Sequence, residues 1–400
     1  MEEIKVSYAK TVYGKKEIDA INKCLTESTQ MGNYARKFEN KIAKLFNKKH
    51  GLYVNSGSSA LYIGMEASKF PENGEVITPA LTFSTTVGSI VKSNLVPVFV
   101  DVGINNYCID VNAIEKNISS KTVAIVAPNL MGNICNWKTI SKIAKAHNLK
   151  VIEDSADTIG GTLEGKLSGS YCDWSITSFY GSHIINCAGN GGMLCVDDDE
   201  IMYEAKLLRS WGRSSSIFDE KSEEIENRFN VDIDGIPYDA KFIFEKIGYN
   251  LEGSEIGAAF GLAQLDSLEN NVKIRKRNFI KQTKFFEKYS DFIITPSQTK
   301  NSESAWLAYP ILIKEDAPFK RRDFQIYLEK RNIQTRTVFS GNITRQPGFK
   351  NIKMKICDDG LKNSDNVMKG GVLLACHHGL TDDMFSHMHS VCETFFSQYL

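Results

Sequence analysis

The stretch Glu153-Asp154-Ser155-Ala156-Asp157 follows an apolar run, Lys150-Val151-Ile152, so its acids sit where a buried strand ends and opens onto a cleft. A carboxylate at such an edge is either a cap or a chemical tool. A second apolar run, Trp174-Ser175-Ile176-Thr177-Ser178-Phe179, reads as another buried strand and delivers Ser178 and His183 toward the same side. Histidine changes charge near neutral pH, which suits it to moving protons on a bound ligand.

Two further stretches have the composition of a ligand site. Gly51-Leu52-Tyr53-Val54-Asn55-Ser56-Gly57-Ser58-Ser59-Ala60-Leu61 reads as a short strand, a small-residue turn and a helix. Helix N-termini present unpaired N–H groups and a positive dipole end, so the turn suits a phosphate, with serine hydroxyls as added donors. The same serines also suit a simple helix cap. Pro79-Ala80-Leu81-Thr82-Phe83-Ser84 places Phe83 at a strand's C-terminal end, either as a core residue or as a ring platform.

The elements that position these groups follow from periodicity. Ile18, Ile21 and Leu25 predict an amphipathic helix over 15–28, and a second is expected over 34–46. Beyond the turn, apolar strands at 75–78, 96–100, 122–126 and from Val151 alternate with helical patterns at 84–93, 111–117 and 137–147. Such alternation predicts an α/β fold with a mostly parallel sheet covered on both faces. A chain of 400 residues exceeds one ordinary core, so a large domain with an N-terminal arm, 1–270, and a smaller α+β domain, 271–400, are expected. The charged helical segment 272–290 bridges them. Residues 213–247, with Arg213-Ser214-Ser215-Ser216 and a charged run over 220–226, read mostly as a solvated loop.

Lysine plus arginine equals aspartate plus glutamate at 48 each, so no electrostatic footprint points to nucleic acid or an anionic membrane. No apolar run reaches the roughly 20 residues of a bilayer span. Met1-Glu2-Glu3-Ile4-Lys5 lacks a signal-peptide core, and a cytoplasmic protein is expected. The nine cysteines are scattered singly, which argues for free thiols rather than disulfides or zinc. His377-His378 has no third ligand near it in sequence, and no metal is expected there.

From about residue 5 onward the order of these motifs resembles the sugar aminotransferases and dehydratases of the aspartate aminotransferase fold (fold type I), the DegT/DnrJ/EryC1/StrS family, which use pyridoxal phosphate (PLP). The resemblance implies a seven-stranded type of sheet, with Gly57, Ser58 and Ser59 gripping the PLP phosphate. It also implies Phe83 stacked on the pyridine, Asp154 paired with the pyridine nitrogen, and Ser178 in the cofactor site. Asp157 either orients the ring hydroxyl or a water, or is a loop acid. Ile247-Gly248-Tyr249-Asn250-Leu251 matches the segment that sends Asn250 into a neighbouring subunit's site, implying a homodimer.

Two departures stand out. Gly189-Asn190-Gly191-Gly192 replaces the family's Gly-Glu-Gly-Gly, and His183 occupies the position of the family's catalytic lysine. Lys166, in the hairpin-like 163–169 stretch, is not expected to substitute. A histidine there resembles the 3-dehydratase branch, which makes 3,6-dideoxysugars from nucleotide-linked 4-keto-6-deoxysugars. This implies a noncovalent cofactor used as pyridoxamine phosphate (PMP), His183 as the proton-moving group, and L-glutamate as amino donor.

Of the two branches with this histidine, the GDP-sugar branch is metal-free and the CDP-sugar branch carries an iron–sulfur cluster fed by a reductase. The cysteines of the latter are absent at Trp211-Gly212-Arg213-Ser214-Ser215-Ser216 and Asp154-Ser155-Ala156, so no cluster is expected. Other stretches, such as Gly341-Asn342-Ile343-Thr344-Arg345-Gln346-Pro347, look closer to the CDP branch, and GDP or CDP stays open. Arg336 and Arg345 are candidates for the nucleotide diphosphate or the sugar, or else surface ion-pair partners. A 4-aminotransferase, a reductase-coupled dehydratase and a non-catalytic sugar-nucleotide binder are the alternatives.

Overall fold

Alternate residues of the central strands belong to two different cores. Val76, Ala124, Val126 and Ile152 pack into one, while Ile77, Ile125, Ala127 and Val151 pack into the other. A strand whose two faces are both covered has no polar face to show, which is why these segments read as unbroken apolar runs. The computed structural model describes residues 4–217 and 225–400. The charged run expected over 220–226 lies, through residue 224, outside the described residues.

The strands are β1 (His50–Val54), β2 (Glu75–Pro79), β3 (Val96–Val100), β4 (Thr122–Pro128), β5 (Lys150–Ser155), β6 (Trp174–Ser178) and β7 (Gly192–Val196). They form one sheet in the order β1-β7-β6-β5-β4-β2-β3, extended at the β3 edge by the two residues Lys355–Ile356. All neighbours from β6 to that edge are parallel; β7 runs antiparallel to both β1 and β6. The mostly parallel α/β architecture is therefore as expected. The sheet's edge contribution from beyond residue 350 had no sequence signal, because two residues carry no periodicity.

Helices α1 (Lys15–Glu27), α2 (Asn33–Leu45), α3 (Gly57–Ala67), α4 (Ser84–Lys92), α5 (Trp137–Ala146), α6 (Asp199–Arg209) and α7 (Glu255–Leu265) belong to this half of the chain. Helix α8 (Leu268–Phe286) leads to a four-stranded antiparallel sheet of Ile293–Ile294, Tyr309–Ile313, Gly371–Leu374 and Arg336–Thr337. Its core is rich in aromatic rings, with Phe286 stacked on Tyr309, Phe324 stacked on Phe396, and Phe286 edge-on to Phe396. The N-terminal segment spans both regions. Val6 pairs with Asn332 and Gln334, and Thr11 donates to the carbonyl of Gly181, next to the loop that holds His183.

Candidate active site

The C-terminal ends of β2, β4, β5 and β6 open onto one cavity of about 470 Å³. Crossover connections leave a crevice at the carboxyl edge of a parallel sheet, so side chains at strand ends converge there.

Strand β1 feeds α3 through Ser56, whose hydroxyl accepts the Ser59 N–H at 3.1 Å while its carbonyl accepts the Ala60 N–H. The N–H groups of Gly57 and Ser58, which line the cavity, are left for a ligand. Ser59 does not line it: its hydroxyl donates to Asn55 at 2.6 Å and braces the turn from inside. The turn is held against the sheet by glycines. A Cβ on Gly57 would lie 2.8 Å from the Ser178 Cβ, and one on Gly192 would lie 2.3 Å from the main chain of Ser56.

The acidic pair at the end of β5 divides its work by strand alternation. Glu153 is fully buried and accepts three bonds of 2.7 Å from Asn129, Ser155 and Ser175, so it is a structural hub. Asp154, 4% exposed, faces the cavity and accepts from the Thr86 hydroxyl at 2.7 Å and the Ala156 N–H at 3.1 Å. Burial pushes its carboxyl up, while those two bonds pull it down. Asp157 lines the same wall, accepting the Met131 N–H at 2.7 Å. Burial, reinforced by Asp154, pushes it up to about 7.

His183 stands on the loop after β6, with Nδ1 3.1 Å from the carbonyl of Ser178. Burial lowers its pKa to about 4, the Ser178 carbonyl opposes this, and Arg275 adds to it, so the ring is neutral at pH 7. Ser178 lines the cavity beside it. Phe83 caps α4 and is 51% exposed, its ring 6.0 Å from that of Phe339 and edge-on to it. It is not a core residue: the open ring is available as a platform.

Tyr8, Tyr180, Asn190 and Phe339 are among the further lining residues that were not anticipated. Only Asn190 gave a signal, as a departure from the expected glycine-rich motif. Tyr8 is brought in by the N-terminal segment, where Ser7 accepts from His377. Among the described residues, no lysine or arginine lines the cavity.

The remaining candidates lie outside the cavity. Arg336 sits with its guanidinium carbon 5.4 Å from the ring centre of Tyr8, behind the wall. Arg345 is exposed and paired with Asp365. Asn250 is exposed, its backbone bridged to Ser210. Lys166 is exposed in a short hairpin, and His378 accepts from Arg275. Among the described residues no group of metal-binding side chains converges and no helix is long and apolar enough to cross a membrane; all nine cysteines are free and buried.

Fold and site together define a sugar aminotransferase-type protein: the chain belongs to the DegT/DnrJ/EryC1/StrS aminotransferase family, whose sequence model matches residues 12–395. It is 33% identical to the lipopolysaccharide biosynthesis protein RfbH of Salmonella typhimurium, over 96% of this chain and 90% of that one. It is 34% identical to dTDP-4-dehydro-2,6-dideoxy-D-glucose 3-dehydratase of Saccharopolyspora spinosa, over 89% and 79%. Among solved structures it is similar to E. coli GDP-4-keto-6-deoxy-D-mannose-3-dehydratase with bound hydrated PLP, with a TM-score of 0.86 at 26% identity, covering 98% of this chain and all of that one.

Proposed function

We propose that this protein is a PLP/PMP-dependent 3-dehydratase that removes the C-3 hydroxyl of a nucleotide-linked 4-keto-6-deoxysugar. L-glutamate restores the amine form of the cofactor, and no iron–sulfur cluster takes part. The observation that carries this reading is the neutral His183 in a cavity wall that holds no lysine among the described residues. A lysine there would bind PLP covalently; histidine moves protons but leaves the cofactor noncovalent.

The residues present fit the cofactor. The free N–H groups of Gly57 and Ser58 at a helix N-terminus suit its phosphate, and a glycine cradle pressed against Ser178 gives it room. The buried carboxylate of Asp154 suits a protonated ring nitrogen, and the open face of Phe83 suits the ring itself. When bound, the cofactor supplies an electron sink for the carbon–hydrogen bond that breaks. Thr86 aims the Asp154 carboxyl and favours its ionised form against burial. His183, fixed through Nδ1, takes up a proton at Nε2 and delivers it to the departing hydroxyl.

The similarity to a GDP-sugar enzyme and a dTDP-sugar enzyme supports a nucleotide-sugar substrate, to which dTDP is now added beside GDP and CDP. We further read residues 1–270 as the cofactor-binding part and 271–400 as the smaller domain, and expect a cytoplasmic homodimer in which Asn250 enters the neighbouring site. The test is absorbance of the PLP-loaded protein before and after L-glutamate, beside His183→Lys, followed by assay of GDP-, CDP- and dTDP-linked keto-sugars for a 3-deoxy product. Unlinked aldehyde converted to the amine in the wild type, covalent PLP in the variant and a 3-deoxy product are expected. A stable 4-amino sugar, or a borohydride-reducible bond in the wild type, overturns the proposal.

A further inference from the structure

We propose that Asp157 holds its proton to a higher pH than Asp154 and, protonated, faces the cavity as a hydrogen-bond donor, leaving Asp154 as the first of the two carboxyls to ionise. The two aspartates lie three residues apart and line one cavity in whose wall no cation stands among the described residues. Burial disfavours the charged form of both, the charge of Asp154 adds to this at Asp157, and the carboxyl with more donors ionises more readily. Asp154 accepts from Thr86 and Ala156; Asp157 accepts only from Met131. The balance selects Asp157 as the acid, in accord with its pKa near 7.

The groups facing Asp157 do not reverse this. Asp154 on β5 adds negative charge, and the 130–132 turn offers only the Met131 amide. His183 is neutral, and the phenol of Tyr8, pushed up by burial, is neutral too. Arg336 stands behind the Tyr8 ring, and Arg275 lies behind Leu307, whose carbonyl it binds; neither forms an ion pair with Asp157. The inference gives the site a donor for a ligand oxygen, and, resting on the reading above, the phenolic oxygen of PLP is of that class.

Two experiments test it. In ligand-free protein labelled with ¹³C-aspartate, one side-chain carboxyl titrates near pH 7 and is missing from Asp157→Asn, or from Asp157→Ser if the first variant folds poorly. In PLP titrations, the ratio of wild-type to Asp157→Asn dissociation constants stays flat below pH 7 and rises about tenfold per pH unit above it, because the amide keeps its N–H donor when the acid has lost its proton. An Asp157 carboxyl that is already ionised at about pH 5.5 overturns the proposal, as does a ratio independent of pH. The NMR result stands even if PLP does not bind, in which case the dehydratase reading fails alone.

Discussion

The Nδ1 of His183 lies 3.1 Å from the main-chain oxygen of Ser178. A carbonyl only accepts, so Nδ1 carries the proton and Nε2 keeps its lone pair, which fixes the imidazole as a base in one tautomer. Burial holds the folded-state pKa near 4, below the ordinary 6.5. Protonation therefore favours the unfolded chain, and the stability His183 contributes is lost as pH falls from about 6.5 through about 4.

The acid limb of kcat/KM is accordingly expected well below pH 6.5, coincident with loss of structure followed by circular dichroism. His183→Asn should lower kcat by about 10²- to 10⁴-fold with PLP affinity changed only a few-fold. A limb at pH 6 to 7 that disappears in this variant contradicts the assignment.

Gly57→Ala should weaken PLP binding without unfolding the protein. The new Cβ, 2.8 Å from that of Ser178, must push the turn off β6, at a cost of about 1–3 kcal/mol, or roughly 5- to 150-fold in affinity. Ser178→Gly removes the opposing atom and should restore binding in the double variant; Ser178→Ala keeps that atom and should not. Fluorescence titration with PLP separates the cases.

Thr86→Val deletes the hydroxyl that donates to Asp154 at 2.7 Å, with little change of shape. A bond to a carboxylate is worth about 1.5–3 kcal/mol, so its loss should raise the Asp154 pKa further and weaken PLP binding by at least tenfold. Thr86→Ser keeps the donor and should bind within a few-fold of wild type. Equal losses in both variants would assign the effect to packing instead.

How much of this was legible in the sequence depended on whether a residue's role was local. Gly57, Ser58, Phe83, Asp154, Asp157, Ser178 and His183 lie at strand ends or in the turns that follow them, and the topology brings all of them into one cavity. Ser59 was grouped with its neighbours, but one step around the helix turned its hydroxyl inward to Asn55. Tyr8 and Phe339 reach the wall across more than 100 residues of chain, and Arg345 meets Asp365 20 residues further on; no spacing announces such contacts. Helix α8, read from its charged composition as a bridge to the smaller domain, holds a pattern the sequence did not announce: Asn271, Arg275, Asn278 and Gln282 form a buried stripe with helical spacing, bonded to carbonyls that only the folded chain supplies.

Arg275, fully buried in that stripe, offers the last prediction. Its Nε donates to His378 at 3.2 Å, and Nη1 to the carbonyls of Trp306 and Leu307 at 3.2 and 3.0 Å. Burial lowers its pKa to about 10, so it remains a cation at neutral pH, and its field helps to keep His183 uncharged. Arg275→Met should lower the melting temperature by several degrees, since buried acceptors left without a donor cost about 1–3 kcal/mol each. It should also move the His183 pKa upward from about 4, as the cation that disfavoured protonation is gone. Arg275→Lys keeps the charge but not the planar fork, so it should lose stability while leaving His183 nearly unshifted. Thermal melts paired with ¹⁵N-histidine titrations distinguish the two contributions. If His183 titrates identically in both variants, Arg275 serves the fold alone and its electrostatic reach into the cavity is refuted.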